Sequence, residues 1–465
     1  MQLGDVLDSV TLDVATSAIE VNHVEIDSRQ CVPGTLFFAM PGETSHGVKF
    51  VDDAARHGAV AAVSSEPLGA VIPVVVVPQS QLHALLAHAS STIVGRPEED
   101  LELVGVTGTN GKTSVTSLVA SLARALGWNG ASIGTLTNER TTPASPELFR
   151  SLAKLAAGFD ERRPHSVVAL EVSSHALSQH RVEGLRFTVT AFTNLGHDHL
   201  DYHRTMEEYF EVKSQLFTRE HAKRAVIWCD DSYGLRLADM TSLPVTKVRR
   251  SDATDVTESL RGTIFFWRGH LVNTPLLGGY NVDNALMAME ILRSLGADEA
   301  DVSRSMADVQ AVPGRFELVS SEDRIVIVDY AHTPEGLRRL LDDVRRVIDG
   351  GRIITVFGCG GDRDRAKRRE MGEVASTHSE ITIVTSDNPR SESPDAIIDS
   401  IIEGTVAGAT VLRLADRRSA IVEAIRLSEP GDVVVLAGKG HETTQVIGDL
   451  VLPFDDRDVA RELLK

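Results

Sequence analysis

The chain has few cysteines and no long apolar runs, and each of these shortages argues against certain classes of protein. Its three cysteines, Cys31, Cys229 and Cys359, lie far apart and show no metal-ligand spacing. They suit a reducing compartment, so we expect a cytoplasmic location. No apolar run approaches the ~20 residues that span a bilayer. The segment MQLGDVLDSV lacks a basic region followed by an apolar core. We therefore expect neither a membrane span nor a secretory signal.

Basic residues are also too few for a protein that binds nucleic acid nonspecifically. The sequence has 47 Lys and Arg against 66 Asp and Glu, for a net charge of −19. Nonspecific binding to a phosphate backbone needs a basic surface, so we expect no nucleic-acid partner. A hydrophobic fraction of 42% is ordinary for a globular protein. The length predicts roughly two to four domains.

Strand-like runs followed by glycine or polar turns and then by helical patterns recur along the chain. Examples are VVALEVSSH, RIVIVDYAHTPEG, RIITVFGCGGDRD and DVVVLAGKGHE. Near-continuous β-branched runs of this kind predict an α/β fold with parallel sheets covered on both faces. We place domains at residues 1–98, 99–312 and 313–465. Ligands of such sheets bind beyond the carboxyl ends of the strands, where the charged motifs of this chain fall.

The most informative motif is LVGVTGTNGKTS, residues 103–114. Its glycines let backbone N–H groups surround phosphates, Lys112 can reach the terminal phosphates, and the Thr113 hydroxyl can hold Mg²⁺. The following residues predict a helix whose N-terminus attracts the same phosphates. Val106 occupies the position of the first glycine in the standard pattern. An ordinary strand–turn–helix junction is the alternative, but a lysine in such a turn has little packing purpose.

Two further features allow magnesium binding but do not prove it. Glu171 ends the strand-like run VVALE, where it could bind Mg²⁺ or simply face solvent. The segment NLGHDHLDYH, residues 194–203, contains His197, His199 and His203. It could be a polar loop, a zinc or iron site, or a Mg²⁺ site that uses one histidine and phosphate oxygens. The shortage of cysteines and the nearby phosphate loop favour magnesium.

Three glycine-rich or polar motifs end strand-like runs in the last third of the chain. GCGGDRD lacks the spacing of a dinucleotide fingerprint, which disfavours NAD binding. DNPR, residues 387–390, is a turn signal, and Arg390 could be an ordinary surface charge. GKGHE occupies residues 438–442.

Taken in order, VTGTNGKTS, EVSSHALSQHR, TNLGHDHLDYH, EVKSQLF, LGGYNVDNALMA, GRFE, VDYAHTPEGL, GCGGDRD, SDNPRSE and GKGHET resemble the Mur ligase family over essentially the whole chain. The closest likeness is to its UDP-N-acetylmuramoyl-tripeptide synthetases, and DNPR resembles the form that adds meso-diaminopimelate rather than L-lysine. The resemblance implies a small N-terminal α/β UDP-binding domain, a central ATPase domain with a mainly parallel sheet, and a C-terminal Rossmann-like domain for the amino acid.

The resemblance also assigns site residues. ATP would contact Gly108, Thr109, Asn110, Gly111, Lys112, Thr113, Ser114, Asn284, Arg315 and Asp329. The UDP-linked substrate would contact Ile26, Ser28, Thr44, Ser45, Thr141, Thr142, Ser173, Gln179 and Arg181. The amino-acid pocket would contain Arg363, Asp387, Asn388, Pro389, Arg390, Gly438 and Glu442. The catalytic set would be Lys112, Glu171, His199 and Lys213. Two Mg²⁺ sites would use Thr113, Glu171, His199 and Lys213, the last as a carbamate formed with CO₂.

One of these assignments differs from what the residues alone indicate, and one segment departs from the family pattern without putting the TTP motif itself in doubt. Without the family, Lys213 on an amphipathic helix would be interpreted as a solvated surface charge. Only TNER separates GTL, residues 134–136, from TTP, residues 141–143. Many family members have a longer hairpin there, which puts contacts around Arg140 in doubt.

The implied reaction is ATP-dependent addition of meso-diaminopimelate to UDP-N-acetylmuramoyl-L-alanyl-D-glutamate through an acyl phosphate, in peptidoglycan precursor synthesis. A buried Arg390 would select the distal carboxylate of diaminopimelate, and we expect a monomer. The alternatives are an L-lysine-adding synthetase, a folylpolyglutamate synthetase or the ligase that adds D-Ala-D-Ala. Outside this superfamily they are a non-catalytic nucleotide switch and a metal hydrolase built on the histidines of HDHLDYH.

Overall fold

The computed structural model describes residues 1–42, 45–138, 140–196, 198, 202–321, 324–348 and 350–465. The chain divides into two compact units, residues 1–249 with 287–297, and residues 250–286 with 298–465. Both units are built from sheets flanked by helices, so the predicted α/β class is confirmed. The predicted domain boundaries stay predictions. Within the described residues, no helix has both the length and the apolar character that crossing a bilayer requires.

The first unit begins with a four-stranded sheet in the order β1-β2-β3-β4, parallel throughout. Its strands are β1 (His23–Glu25), β2 (Thr35–Phe38), β3 (Ala59–Ser64) and β4 (Val74–Val76). The helices of this region are α1 (Leu3–Val6), α2 (Val14–Ser17), α3 (Val51–Arg56) and α4 (Leu82–Ile93). Leu82, Leu85, Leu86 and Ala89 of α4 form one stripe that packs into the core on one face of this sheet.

The second sheet of this unit has six parallel strands in the order β10-β9-β8-β5-β7-β6. They are β5 (Glu102–Thr107), β6 (Asn129–Ile133), β7 (Ser166–Glu171), β8 (Val189–Phe192), β9 (Ala225–Trp228) and β10 (Val245–Val248). The helices are α5 (Lys112–Ala125), α6 (Ser145–Gly158), α7 (Ser174–Ser178), α8 (Met206–Ser214) and α9 (Ser232–Met240). Because β5 lies between β7 and β8, the strand order reverses there, which opens a crevice beyond the carboxyl end of β5.

The second unit contains a three-stranded antiparallel sheet, a six-stranded sheet and a hairpin. The strands are β11 (Ala253–Ser259), β12 (Gly262–Trp267), β13 (His270–Thr274), β14 (Glu317–Ser320), β15 (Ile325–Asp329), β16 (Ile353–Phe357), β17 (Ile381–Val384), β18 (Thr410–Arg413), β19 (Val433–Ala437), β20 (Thr444–Ile447) and β21 (Leu450–Pro453). The helices are α10 (Gly279–Ser294), which ends in the first unit, α11 (Glu299–Ser305), α12 (Pro334–Val347), α13 (Lys367–His378), α14 (Pro394–Ile402), α15 (Arg417–Leu427) and α16 (Asp456–Leu463).

The six-stranded sheet of the second unit has the order β14-β15-β19-β16-β17-β18. All its pairs are parallel except β14 with β15, so the sheet predicted as parallel has one antiparallel edge. Alternate residues of β19 enter different cores: Val433, Val435 and Ala437 belong to one cluster, and Val434 and Leu436 to another. Because both faces are covered, the apolar run of this strand is continuous.

An ion pair with no solvent exposure joins α15 to α16. Arg417 and Asp456 are both 0% exposed, and Arg417 Nε and Nη2 donate to the two carboxylate oxygens at 2.8 and 2.6 Å. Arg417 Nη2 also donates to the carbonyl of Ala437 at 3.0 Å, and Nη1 to that of Ser386 at 3.4 Å. One guanidinium therefore connects two helices to the last residue of β19 and to the segment that follows β17.

We expect Arg417→Ala to destabilise the second unit, because Asp456 would be left buried without its partner. Breaking such a pair costs about 3–5 kcal/mol. The matched control is Arg418→Ala, since Arg418 pairs with Glu462 on the surface. Exposed pairs contribute roughly 0–1 kcal/mol. Thermal unfolding monitored by circular dichroism measures both, and equal shifts in Tm would contradict the role given to Arg417.

Candidate active site

The phosphate-binding loop starts at the carboxyl end of β5. Val106 is fully buried within this strand, so the turn begins after it and needs its first glycine at 108. Gly108 has φ +148°, and a Cβ there would lie 2.0 Å from Thr193 Oγ1. Gly111 has φ +86° and immediately precedes α5. Only glycine tolerates both the backbone angles and the close approach, which explains the motif despite its departure from the standard pattern.

The segment after β8 holds this loop in place, a role that the sequence analysis missed. Asn110 N donates to Asn194 Oδ1 at 3.0 Å, and Asn194 Nδ2 donates to the Asn110 carbonyl at 3.1 Å. Thr109 N donates to the Asn194 carbonyl at 2.9 Å. The available signal was the polar segment TNLG directly after the apolar residues VTAF.

Lys112, the first residue of α5, lies over the loop that precedes it. Its Nζ donates to the carbonyls of Gly108 and Thr109 at 2.9 and 2.8 Å. Val115, Leu118, Val119 and Leu122 of α5 are fully buried. The helix is thus fixed against the core, and its N-terminus and Lys112 direct positive charge at the same turn.

Glu171 ends β7 beside this loop, where it pairs in register with Val106. Its side chain accepts from Thr113 Oγ1 at 2.9 Å and from the backbone N and Oγ1 of Thr135 at 2.8 and 3.3 Å. The residue is 1% exposed, so the solvent-facing interpretation is wrong. Sequence reasoning missed Thr135, although it follows a strand end within GTL. A buried carboxylate next to a threonine hydroxyl offers the oxygen ligands that Mg²⁺ prefers.

Lys213 of α8 is buried under the same loop. The residue is 1% exposed, so its interpretation as a solvated surface charge is wrong. Its Nζ donates to the Gly108 carbonyl at 3.0 Å and to Thr107 Oγ1 at 3.4 Å, and lies 4.6 Å from the centre of the Tyr209 ring. Burial, and then repulsion by Lys112, hold the pKa of this amine well below its usual 10.5.

The histidine-rich segment is only partly described. His197, His199 and Asp201 lie outside the described residues, so the magnesium role of His199 stays a prediction. His203 is 1% exposed and stacks on Tyr209, with ring centres 5.0 Å apart. In the part of the chain that the structure describes, no group of three or more His, Cys, Asp or Glu side chains could hold a metal ion.

The residues predicted to contact the peptide part of the UDP-linked substrate lie together beyond β7; they are Thr141, Thr142, Ser173, Gln179 and Arg181. Thr142 Oγ1 donates to the Glu171 carbonyl at 2.8 Å and accepts from Ser173 N at 3.2 Å. Arg181 Nη1 donates to the Thr142 carbonyl at 2.7 Å, and its Nε and Nη2 donate to Gln179 Oε1 at 3.1 and 2.6 Å. Hydrogen bonds therefore connect this cluster directly to the residue beside the phosphate loop.

A cavity of about 580 Å³ lies between the small sheet and α6. Ile26 and Ser28, both predicted to contact UDP, line it together with Arg140, whose contacts the sequence had put in doubt. Ser28 Oγ donates to Asp53 Oδ2 at 2.8 Å. Ser45 is half-buried, and Thr44 lies outside the described residues.

One wall of this cavity is fixed by Arg150 of α6, which the sequence analysis did not single out. Arg150 Nη2 donates to Glu25 Oε2 at 3.1 Å and Nη1 to the Val24 carbonyl at 3.0 Å. Glu25 is itself 5% exposed. This contact joins β1 to the region that carries the phosphate loop.

The predicted amino-acid pocket belongs to the second unit and follows the ends of β16, β17 and β19; its residues are Arg363, Asp387, Asn388, Pro389, Arg390, Gly438 and Glu442. Asn388 Nδ2 donates to Glu442 Oε2 at 2.7 Å. A Cβ at Gly438 would lie 2.8 Å from Asp387 Oδ2. A Cβ at Gly360 would lie 3.0 Å from Arg390 Nη1 and 3.8 Å from Arg363 Cγ, so both arginines flank this glycine.

Arg390 is half-buried, which corrects the prediction of a buried guanidinium. Its Nη1 donates to the Gly361 carbonyl at 2.7 Å. Its backbone has φ +50° and is held by the β20–β21 hairpin, with Arg390 N donating to the Val446 carbonyl at 3.1 Å and Gly448 N to the Arg390 carbonyl at 2.7 Å. No sequence motif predicted this hairpin, and its backbone contacts fix the direction in which the Arg390 side chain leaves the chain.

Asp329 ends β15 in the second unit and organises the segment around GRFE. Its Oδ2 accepts from Phe316 N at 2.7 Å and from the Tyr280 hydroxyl at 2.8 Å. Burial raises the pKa of this carboxyl from 3.8, against the opposing charge of Arg315. Arg315 stacks on the Tyr330 ring at 4.3 Å. The nucleotide contacts predicted for Asp329 and Arg315 stay predictions, as does that of Asn284, whose Nδ2 donates to Asn281 Oδ1 at 3.3 Å.

Comparison of the sequence with known protein families gives matches in both units of the chain. The family descriptions "Mur ligase family, catalytic domain", "Mur ligase middle domain" and "Mur ligase, glutamate ligase domain" match residues 20–94, 106–292 and 314–440. A relative from Gloeobacter violaceus, named UDP-N-acetylmuramoyl-L-alanyl-D-glutamate–2,6-diaminopimelate ligase, is 41% identical over 100% of this chain and 98% of its own. A relative of the same name from Geobacillus thermodenitrificans is 41% identical over 96% and 95%.

The chain belongs to the Mur ligase family.

Solved structures give the same family fold. A structure of a UDP-N-acetylmuramoyl-L-alanyl-D-glutamate–2,6-diaminopimelate ligase matches with TM-score 0.70 and 30% identity, covering 100% of this chain and 98% of the other. The MurF ligase of Thermotoga maritima in complex with ADP matches with TM-score 0.64 at 18% identity, covering 96% and 97%, which shows the fold alone. The three-domain Mur ligase architecture predicted from the motifs is confirmed.

For this Mur ligase we expect Lys213→Met to raise stability at neutral pH. Because the lysine pKa is lowered, the unfolded chain binds more protons than the folded one between the lowered pKa and 10.5. The stability cost of burying Lys213 is therefore present at neutral pH and fades as the pH rises toward the unfolded value. The advantage of the variant should shrink accordingly.

Thermal unfolding in CO₂-free buffer, from neutral pH to about pH 10, measures this difference. The control is Lys247→Met, because Lys247 pairs with Asp239 on the surface. A Lys213→Met advantage that stays constant over this pH range would contradict the lowered pKa.

Proposed function

We propose that this chain is an ATP-dependent ligase that joins an amino group of meso-diaminopimelate to UDP-N-acetylmuramoyl-L-alanyl-D-glutamate. The observation that carries the proposal is the hydrogen bond of Thr142 Oγ1 to the Glu171 carbonyl at 2.8 Å. It joins the cluster proposed for the substrate peptide to the residue beside the phosphate loop. The full-length relatives named for this reaction support the choice. We infer that the enzyme acts as a cytoplasmic monomer.

The oxygen donors beside the phosphate loop fit Mg²⁺. Thr113 Oγ1 and Glu171 Oε2 lie 2.9 Å apart in a buried setting, and hard cations of this size bind such oxygens. When bound, Mg²⁺ neutralises charge on the triphosphate and polarises its γ-phosphate. His199 would complete the ligand set.

The chemical difficulty is to bring an anionic carboxylate against an anionic triphosphate. The loop N–H groups and the N-terminus of α5 would bind the phosphates, and Lys112 would leave its carbonyl contacts to reach the terminal ones. The terminal carboxylate of the UDP-linked peptide attacks the γ-phosphorus, ADP leaves, and an acyl phosphate forms. The diaminopimelate amine then attacks that carbonyl carbon and phosphate leaves. Arg181 and Thr142 would hold the peptide at the start of this sequence.

The surroundings of Lys213 support carbamylation. Only a neutral amine attacks CO₂, and burial holds the pKa of Lys213 well below 10.5. The nitrogen lone pair forms the N–C bond, a proton is lost, and a cation becomes an anion. That anion would hold a second Mg²⁺ and would remove the repulsion between Lys213 and Lys112.

The selectivity for diaminopimelate would come from its second carboxylate, which Arg390 can bind through two hydrogen bonds. Losing one partner of such a pair costs roughly 2–5 kcal/mol. Because Arg390 is half-buried, water can solvate it when lysine is bound. We therefore expect discrimination at the lower end of that range, about 30-fold.

The decisive test is phosphate release by the purified chain with ATP, the UDP-linked dipeptide and a panel of diamino acids. We expect release only when both the dipeptide and meso-diaminopimelate are present, and little with L-lysine. Lys112→Ala should abolish release while its circular dichroism spectrum stays that of the wild type. Release that needs neither the dipeptide nor an amine would indicate a simple nucleotidase. Release that needs the dipeptide and L-lysine, but not diaminopimelate, would indicate the lysine-adding reaction.

Arg390→Ala tests the origin of the selectivity. We expect the KM for diaminopimelate to rise about 30-fold, with the KM for ATP nearly unchanged, because only the distal carboxylate loses a partner. Arg413→Ala is the matched control, since Arg413 pairs with Asp395 on the surface of the same unit. Equal rises in both KM values would overturn the role of Arg390.

A further inference from the structure

A lysine of the GKGHE motif is buried in the proposed amino-acid pocket. The Lys439 side chain is 0% exposed. Glycines with φ +110° and +52° stand on either side of it, at positions 438 and 440. A Cβ at Gly440 would lie 2.6 Å from the Cβ of Tyr330, so position 440 has no room for a side chain. The two glycines let the chain turn so that a lysine next to a strand end points inward.

The buried ammonium bridges two residues of the pocket. Lys439 Nζ donates to Asn388 Oδ1 at 3.2 Å and to Glu442 Oε2 at 3.0 Å. Val446 N also donates to Asn388 Oδ1, at 3.0 Å. Two donors therefore converge on one atom of the Asn388 amide, which requires that atom to be the oxygen. The amide nitrogen must then face Glu442, to which it donates at 2.7 Å.

This network also determines what Glu442 can offer to a ligand. Among the described residues, its side-chain hydrogen bonds from Lys439 and Asn388 both end on Oε2. Its Oε1 is left for an ammonium group of the amine donor, the group that a carboxylate oxygen binds best. Without Lys439, the Asn388 amide could rotate, and Glu442 would lose the cation that holds it.

We propose that Lys439 is a positioning residue for the amine donor: its buried ammonium fixes the amide of Asn388 and the carboxylate of Glu442 in the geometry that receives the diamino acid. The proposal rests on the proposed function, since it deepens the assignment of the same pocket. It predicts an effect on one substrate only, because the hydrogen bonds of Lys439 among the described residues go to Asn388 and Glu442 of the pocket.

The test compares Lys439→Met with the wild type in the phosphate-release assay. Met keeps the length of the side chain but removes its charge and its donors. We expect the KM for diaminopimelate to rise about tenfold or more, and the KM values for ATP and for the UDP-linked dipeptide to stay within about twofold. Lys247→Met, at an exposed position, is the matched control and should leave all three KM values unchanged.

A double-mutant cycle separates positioning from general loosening of the fold. If Lys439 acts through Asn388 and Glu442, adding Lys439→Met to a variant that carries both Asn388→Ala and Glu442→Ala should raise the KM for diaminopimelate by no more than about twofold further. A multiplicative effect of Lys439→Met in that variant, or equal rises in all three KM values in the wild-type background, would overturn the proposal. Should Lys439→Met not fold, Lys439→Gln, which keeps a polar donor, is judged by the same criteria. If neither variant folds, Lys439 is a purely structural residue and the proposal is wrong.

Measurements on the wild-type protein distinguish failure of this inference from failure of the proposed function. If the wild type releases no phosphate in response to diaminopimelate, the proposed function fails before any variant is measured. If it does and Lys439→Met leaves the KM for diaminopimelate unchanged, the positioning role alone fails.

Discussion

The burial of positive charge beneath the phosphate-binding loop is the constraint on which the first unit depends. Lys213 and Lys112 both donate to the Gly108 carbonyl, at 3.0 and 2.9 Å. Two ammonium groups that donate to one carbonyl oxygen repel each other, so the arrangement favours loss of a proton from one of them or the approach of an anion. The buried Glu171 carboxylate cannot serve Lys213 directly, because its oxygens are held by Thr113 and Thr135. The loop is thus prepared for additional negative charge, which phosphates would bring.

Parallel topology explains why motifs far apart in sequence share a site. In the first unit, β5, β7 and β8 end at one edge of the sheet, so the phosphate loop, Glu171 and Asn194 become neighbours without any local sequence signal. In the second unit, β16, β17 and β19 bring GCGGDRD, DNPR and GKGHE together in the same way. Strand order determines which of these motifs become neighbours. Strand ends can be predicted from a single sequence far better than strand order can.

The predictability of each feature follows from this distinction. Strand–turn–helix patterning was enough for the α/β class and the phosphate loop, because glycine and lysine positions report local backbone needs. Lys213 shows the limit: its helical pattern identifies a face, but only the fold reveals that the loop covers it. Arg390 shows another, since the β20–β21 hairpin that holds it has no motif of its own. Asn194 and Thr135 were missed because their partners, the Asn110 backbone and the Glu171 carboxylate, belong to distant segments.

Buried cations at strand ends recur in both units and have a common physical reason. Backbone carbonyls at a strand end or just beyond it need a donor when they are buried. Lys213 supplies one to Gly108, and Arg417 supplies one each to Ala437 and Ser386. An apolar residue in place of Arg417 would remove the donor of the Ala437 and Ser386 carbonyls, at about 1–3 kcal/mol for each group left unsatisfied, whereas Gly108 would keep Lys112 as a donor. A basic side chain at these positions therefore donates to the buried carbonyls of the turn that carries the ligand-binding residues. Its positive charge also favours binding of anionic ligand groups at that turn.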